Sequence, residues 1–145
     1  MLLVSEDRET VFVGGNATIH ALDMASGETK WLKGFKGIGG SPITLLQHPD
    51  FEDSIFAAGN GRVKCFDFEG NKIWSTTVNS RASLQPDSVV TMVFTHDHGH
   101  LGLICASRGI VTRLRPETGV QEWTHVAKVW TSLLSFEETL GPEPS

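Results

Sequence analysis

The chain has 145 residues, 39% of them apolar and 20% charged, a composition typical of one globular domain and not of a disordered chain. Its formal net charge is -5 and its Lys and Arg residues form no cluster, which excludes nucleic acid and membrane as expected partners. The longest apolar runs have the length of a strand, no run approaches the roughly 20 residues of a membrane-spanning helix, and no export signal is recognised, so we expect a cytoplasmic protein.

Four strands are predicted in the first third of the chain. Val11–Gly14 and Thr18–Leu22 are rich in β-branched residues, and the Gly-Asn pair between them suits a tight hairpin. Met1–Ser5 and the run that contains Trp31 complete the unit. No stretch keeps the helical period over about 12 residues, so almost no helix is expected.

The same order of runs recurs twice further along the chain. VFVGGNATIHALD aligns with IFAAGNGRVKCFD, LICASRGIVTRLR follows the same rhythm, and each unit then has Gly four residues before Trp, in GETKW, GNKIW and GVQEW. Ile43–Gln47 and Ser88–Thr95 supply the first strands of the second and third units. A four-stranded unit repeated about every 45 residues is the signature of a propeller blade. The predicted fold class is therefore all-β, with about three β-propeller blades built as four-stranded antiparallel meanders.

The turn before each Trp resembles the tryptophan-docking motif of the PQQ-like repeat, found in the quinoprotein alcohol dehydrogenase-like β-propellers. In the first unit, Ala21, Asp23, Ser26-Gly27 and Trp31 hold the places of the motif, with Ser26 where Thr is usual. The other units keep most of it: Asp67, Gly70 and Trp74 in the second, and Thr118, Gly119 and Trp123 in the third, where Arg115 replaces Asp.

These residue types suit a structural joint. An Asp at a strand end can cap a turn with its carboxylate, and Gly can adopt the left-handed backbone that such a turn needs. The resemblance implies that the Trp docks on the adjacent blade. We therefore expect a blade-docking role, rather than sugar stacking or redox chemistry, for Asp23, Gly27, Trp31, Asp67, Gly70, Trp74, Gly119 and Trp123.

Three blades are fewer than the about four to eight of known propellers. We predict an incomplete ring within one chain, which a second three-bladed chain could close or which forms part of a larger propeller. The predicted propeller domain spans residues 1–136, with blades at about 1–34, 43–78 and 88–126. Residues 127–136 are predicted as an extra strand that completes a blade or covers the last one, and residues 137–145 as a flexible tail.

Two groups of residues could carry chemistry. His96, His98 and His100 would form a metal site if THDHGH were one strand, whereas a turn at Asp97–Gly99 would spread the three imidazoles apart. Cys65 and Cys105 lie in apolar runs, so we expect buried reduced thiols, with a disulfide as the minority alternative.

The sequence favours a non-catalytic module for protein–protein interaction or assembly, with a protein partner or a second copy and without a cofactor. The first alternative is a fragment of a PQQ-dependent dehydrogenase or the propeller portion of a multidomain enzyme. The resemblance implies a bound quinone, calcium, a catalytic Asp and often an adjacent cysteine pair in such enzymes. The second alternative is a sugar- or metal-binding propeller.

Overall fold

In a computed structural model of the chain, the described residues are 1–15, 18–34, 42–59, 61–78, 91–97, 99–107 and 109–126. They form three four-stranded antiparallel sheets, and each sheet is a meander in which neighbouring strands follow one another along the chain. No helix occurs in these ranges, so none of the described residues belongs to a helix that could cross a membrane. The fold is all-β, as predicted, and the sheets have the form of propeller blades.

We call the sheets blade 1, blade 2 and blade 3. Blade 1 contains β1 (Leu2–Val4), β2 (Thr10–Gly15), β3 (Thr18–Asp23) and β4 (Thr29–Gly34). Blade 2 contains β5 (Ile43–Leu46), β6 (Ser54–Gly59), β7 (Arg62–Asp67) and β8 (Lys72–Thr77). Blade 3 contains β9 (Thr91–Asp97), β10 (His100–Ser107), β11 (Ile110–Leu114) and β12 (Gln121–Val126).

The three blades share one irregularity, a register shift where the third strand pairs with the fourth. It falls after Ala21 in blade 1, after Cys65 in blade 2 and after Arg113 in blade 3. These three residues pair directly with Trp31, Trp74 and Trp123, respectively. Residues paired across a ladder point to the same face of a sheet, so all three Trp side chains leave their blades on the same side.

The hydrophobic core lies between blades rather than inside one sheet. One cluster joins Phe12, Ile19 and Ala21 of blade 1 to blade 2 residues that include Ile55 and Phe66. A second cluster packs the other face of blade 2 against blade 3, with Phe56, Val63, Cys65, Leu103 and Cys105 among its members. Among the described residues, blade 2 is therefore covered on both faces by other blades, and blades 1 and 3 are each covered on one.

The burial pattern of the second strands reflects this stacking. In β2, buried and partly exposed residues alternate, as expected for a strand with one covered face. In β6, the five residues from Ser54 to Ala58 are all buried, because both faces of blade 2 meet another sheet. The predicted strand at 127–136 and the predicted tail at 137–145 lie outside the described residues.

Both cysteines lie in the second cluster, on facing blades, and both are free thiols. Burial raises the pKa of the Cys65 and Cys105 thiols to about 12. The prediction of buried reduced thiols is confirmed, and the disulfide alternative is wrong.

Candidate functional site

The turn between β7 and β8 is held by the carboxylate of Asp67, the last residue of β7. Its Oδ1 accepts hydrogen bonds from the backbone N–H groups of Glu69 (3.0 Å) and Asn71 (2.8 Å), and its Oδ2 accepts one from Asn71 Nδ2 (3.0 Å). Burial alone would raise the pKa of Asp67, but the hydrogen bonds from Asn71 and Glu69 hold it below its usual value. The ionised carboxylate thus orders the turn.

The turn between β3 and β4 uses Asp23 in a similar way. Asp23 Oδ2 accepts hydrogen bonds from the backbone N–H and the hydroxyl of Ser26, both at 2.9 Å. These two bonds lower the pKa of Asp23. Ser26, which replaces the usual Thr, therefore still supplies the hydroxyl that the turn uses.

The turn between β11 and β12 keeps its shape without a carboxylate at the strand end. The N–H of Gly119 donates to the carbonyl of Arg115 at 2.8 Å, and Thr118 Oγ1 accepts from the N–H of Val120 at 3.2 Å. The glycines of the three turns have positive φ angles of 77° at Gly27, 92° at Gly70 and 75° at Gly119. Each glycine adopts the left-handed backbone that side-chain-bearing residues avoid.

Trp31 joins blade 1 to the turn of blade 2. Its Nε1–H donates a hydrogen bond of 2.8 Å to the carbonyl of Phe68, the residue after Asp67. Its ring lies on Gly70 so closely that a Cβ atom there would be 2.8 Å from Trp31 Cδ2. Gly70 is thus required twice, by its own φ angle and as the seat of a tryptophan from the preceding blade.

Trp74 joins blade 2 to the turn of blade 3 by the same contacts. Its Nε1–H donates to the carbonyl of Pro116 at 2.9 Å, and a Cβ atom on Gly119 would collide with its ring. Thr76 Oγ1 adds a hydrogen bond of 2.7 Å to the carbonyl of Gly119. Trp74 is 8% exposed, so this joint is nearly closed to solvent.

The described residues leave the corresponding groups at the two ends of the stack exposed. Trp123, the counterpart of Trp31 and Trp74, is 46% exposed. A Cβ atom on Gly27, the counterpart of Gly70 and Gly119, would meet nothing within 4 Å among the described residues. The three-blade stack therefore has an exposed Trp at one end and an uncovered Gly turn at the other.

An apolar surface, which we call the blade 1 open face, surrounds the Gly27 end. The ladder places Leu2 opposite Val13 and Val4 opposite Val11, and Val11 opposite Leu22. Leu2 is 62% exposed, and Leu32 on β4 of the same face is 51% exposed. Val11, Val13 and Leu22 align with Ile55, Ala57 and Phe66, which are buried against blade 1 at the internal junction. Blade 1 thus carries an unpaired version of the face that blade 2 has buried.

The opposite surface, the blade 3 open face, combines apolar residues with a charged group. Val93 and Trp123 are both exposed on it. Arg113 stands where blades 1 and 2 have Ala21 and Cys65, and its side chain lies over Gly102, where a Cβ atom would collide with the guanidinium group.

The charge of Arg113 is matched within blade 3. Its Nη1 donates to Asp97 Oδ1 at 2.6 Å and its Nε to Glu122 Oε1 at 2.7 Å. These bonds raise the pKa of Arg113, and the bond from Arg113 lowers the pKa of Glu122. The sequence signal for this group was an Arg at a position where the other two copies have small apolar residues.

The histidines of THDHGH are divided between two strands. His96 lies in β9 and His100 begins β10, so a turn separates them, and His98 lies outside the described residues. His96 pairs with Leu101 and His100 with Asp97 across the β9–β10 ladder, so the two imidazoles leave opposite faces of the hairpin, although both side chains border a cavity of about 130 Å³ with His48 of blade 2. Within the described ranges, no three His, Cys, Asp or Glu side chains are arranged to hold a metal ion. The metal hypothesis for His96, His98 and His100 stays a prediction.

The carboxylates of the docking motif and the two cysteines are not arranged as the resemblance implies for the quinone and calcium site of enzyme members. Asp23 and Asp67 are engaged in their own turns. Cys65 and Cys105 are buried in different blades and are not an adjacent pair.

A family model described as "Outer membrane protein assembly factor BamB" matches residues 15–135. Among solved structures, BamB from Moraxella catarrhalis superposes with a TM-score of 0.57 at 16% identity, over 86% of this chain and 35% of that one. A europium-containing methanol dehydrogenase superposes with a TM-score of 0.56 at 14% identity, over 80% of this chain and 23% of that one. Quinohemoprotein alcohol dehydrogenase from Comamonas testosteroni superposes with a TM-score of 0.54 at 15% identity, over 81% of this chain and 19% of that one. A comparison with curated proteins finds no match. The chain thus spans about a third or less of each of these three structures, and these likenesses concern the fold.

Proposed function

The chain belongs to the PQQ-like β-propeller repeat family, and on that premise we propose that it is a non-catalytic module for protein–protein interaction or assembly. Its contact surfaces are the blade 1 open face and the blade 3 open face. A partner protein or a second copy of the chain is expected to bind to one of these two faces.

The observation that carries the proposal is the contrast between equivalent positions inside and at the ends of the stack. Trp74 is 8% exposed, whereas its counterpart Trp123 is 46% exposed. Burial of a large aromatic side chain is favourable in proportion to the apolar area removed from water, at about 25 cal/mol per Å². Contiguous apolar surfaces of this kind mark interaction sites in soluble proteins. Covering the two open faces with another protein surface is therefore favourable.

The comparisons support the same proposal. The family model that matches most of the chain is described as an assembly factor, and BamB shares the fold of the blades. An assembly role requires binding to other proteins, and the open faces are surfaces suited to that.

The runner-up proposal is the propeller portion of a quinoprotein dehydrogenase, because two such enzymes share the fold. Against it, Asp23 and Asp67 are engaged in their own turns, and Cys65 and Cys105 are buried in the core. An absorbance scan of the chain with pyrroloquinoline quinone and calcium tests this alternative. A shifted quinone band at one equivalent would favour the enzyme, and an unchanged quinone spectrum favours the interaction module.

The interaction proposal is tested by affinity capture with matched variants. Leu32→Glu places a charge on the blade 1 open face at a residue that is already 51% exposed, so the fold is expected to tolerate it. Ile73→Glu is the control, because Ile73 is 42% exposed on the middle blade. The wild type and Ile73→Glu should capture the same proteins from an extract, and Leu32→Glu should lose some of them. Identical captures by all three chains would overturn the proposed role of this face.

A further inference from the structure

We propose that the two open ends of the stack are complementary, so that Trp123 of one copy docks on the Gly27 turn of a second copy. The inference rests on the proposed function, in which the open faces are contact surfaces, and it names a second copy of this chain as the occupant. The contacts that hold blade 1 to blade 2 and blade 2 to blade 3 are then repeated between copies.

The end of the stack that carries Trp123, which we call the donor end, has the geometry of an internal joint. Trp123 pairs with Arg113 in the same register as Trp31 with Ala21 and Trp74 with Cys65. Its side chain therefore lies on the face from which Trp31 and Trp74 donate to the next blade. His125, two residues on, stands where Thr76 donates to the carbonyl of Gly119. The donor end thus offers two N–H donors, at the two positions where Trp74 and Thr76 donate hydrogen bonds at the internal joint.

The end of the stack that carries Gly27, which we call the acceptor end, has the matching turn. Gly27 has the positive φ angle of 77° seen at the other two turns, and the space above it is open among the described residues. The internal acceptors are the carbonyls of Phe68 and Pro116, which follow Asp67 and Arg115, the residues at the Asp position of the motif. The equivalent residue in blade 1 is Met24, so the expected hydrogen bond runs from Trp123 Nε1 to the carbonyl of Met24.

The surrounding faces complement each other in the same way. The blade 1 open face presents Val11, Val13 and Leu22 at the positions where Ile55, Ala57 and Phe66 bury themselves against a preceding blade. The blade 3 open face presents Ile104 and Val111 at the positions of Phe56 and Val63, which are buried against a following blade. Apolar residues therefore meet apolar residues across the proposed junction.

The expected assembly is a closed dimer. Each copy has one donor end and one acceptor end, so two copies make two identical junctions and use up both ends. Two three-bladed stacks give six blades, which lies within the about four to eight blades of known propellers. Head-to-tail contacts that did not close in this way would continue into a filament.

Arg113 makes this junction weaker than the internal ones. Docking would cover an ion pair network of Arg113, Asp97 and Glu122, and removing charges from water opposes association even when they are paired. The internal junctions have Ala21 or Cys65 at this place. We therefore expect an assembly whose mass depends on protein concentration.

The test is the mass of the 145-residue chain by light scattering after size exclusion, over loading concentrations from the low to the high micromolar range. We expect a rise from 15.8 kDa toward twice that mass with concentration. Gly27→Asn keeps the left-handed turn, because Asn tolerates positive φ, but adds a Cβ atom where the indole would sit. Gly109→Asn is the control, since Gly109 also has a φ angle of 83° but lies in the hairpin between β10 and β11, at the other end of blade 3 from Asp97 and the Gly119 turn.

Gly27→Asn and Trp123→Ala should each raise the dimer dissociation constant at least tenfold, and Gly109→Asn should leave it unchanged. Trp123 is half exposed, so its truncation leaves a folded chain even if Gly27→Asn does not. A mixture of the two blocked variants retains one good junction and should form a heterodimer. A monomeric mass at every concentration, or a dimer unaffected by Trp123→Ala, overturns self-docking. If Leu32→Glu still changes partner capture in that case, the proposed interaction role survives without it.

Discussion

Truncation of the three motif tryptophans should rank them by how far the next blade covers them. Trp74→Ala removes a side chain that is 8% exposed and breaks its hydrogen bond to the carbonyl of Pro116. Replacement of a buried aromatic residue by Ala costs about 3–5 kcal/mol, and a buried carbonyl left without its donor accounts for about 1–3 kcal/mol of such losses. A domain of this size has a free energy of unfolding of about 5–15 kcal/mol, so Trp74→Ala should remove at least about a fifth of it.

Trp123→Ala should cost much less in the monomer, about 1–2 kcal/mol, because 46% of the side chain already faces solvent and no closed cavity forms. Trp31→Ala should fall between the two, since Trp31 makes the same hydrogen bond but is only partly buried. The assay is urea unfolding followed by far-UV circular dichroism at about 1 µM protein, which suppresses association. Equal losses for the three variants, or the largest loss for Trp123→Ala, would refute the docking account.

Three further predictions follow from the turns and the core. Gly119→Asn should lower the free energy of unfolding by about 1–3 kcal/mol, because its Cβ atom would press on the indole of Trp74. Gly27→Asn should change the free energy of unfolding by less than about 0.5 kcal/mol, since the space at Gly27 is open among the described residues. Thermal melting at low protein concentration compares the two variants. The folded pKa of Asp67 lies below its unfolded value, so its contribution to stability is present above pH about 4 and is lost as pH falls through the folded pKa. Unfolding free energies measured from pH 6 to about pH 2 should therefore fall less steeply for Asp67→Asn than for the wild type, and parallel curves would contradict the role of this carboxylate. Cys65 and Cys105, with pKa values raised to about 12, should react with a thiol reagent at pH 8 only after unfolding, and rapid labelling of the native chain would contradict their burial.

The blades could be predicted from the sequence because the information is local. Alternation of apolar residues sets the strands, and the glycine before each Trp sets a turn whose φ angle the structure places between 75° and 92°. A repeated pattern then fixes the order of strands without knowledge of how the sheets stack.

The double role of Gly70 and Gly119 could not be predicted in the same way. Each glycine lies under a tryptophan from the preceding blade, about one repeat away in sequence. Such a contact depends on the offset between neighbouring sheets, which local periodicity does not encode.

The convergence of His48 with His96 and His100 has the same origin. The first residue lies in the loop after β5 and the other two flank the turn between β9 and β10, so only the packing of blade 2 on blade 3 brings them to one cavity. The network around Arg113 also depends on a bulge that places Glu122 beside the guanidinium.

Hydrogen exchange of the indole N–H groups, observed by NMR on ¹⁵N-labelled protein, tests the docking of blade on blade most directly. In dilute solution, the N–H groups of Trp31 and Trp74 should exchange slowly, because each donates to a carbonyl of the next blade, and that of Trp123 should exchange at nearly the rate of a free indole. Protection of Trp123 should appear as protein concentration rises. Exchange of Trp74 as fast as that of Trp123 in dilute solution would contradict the account.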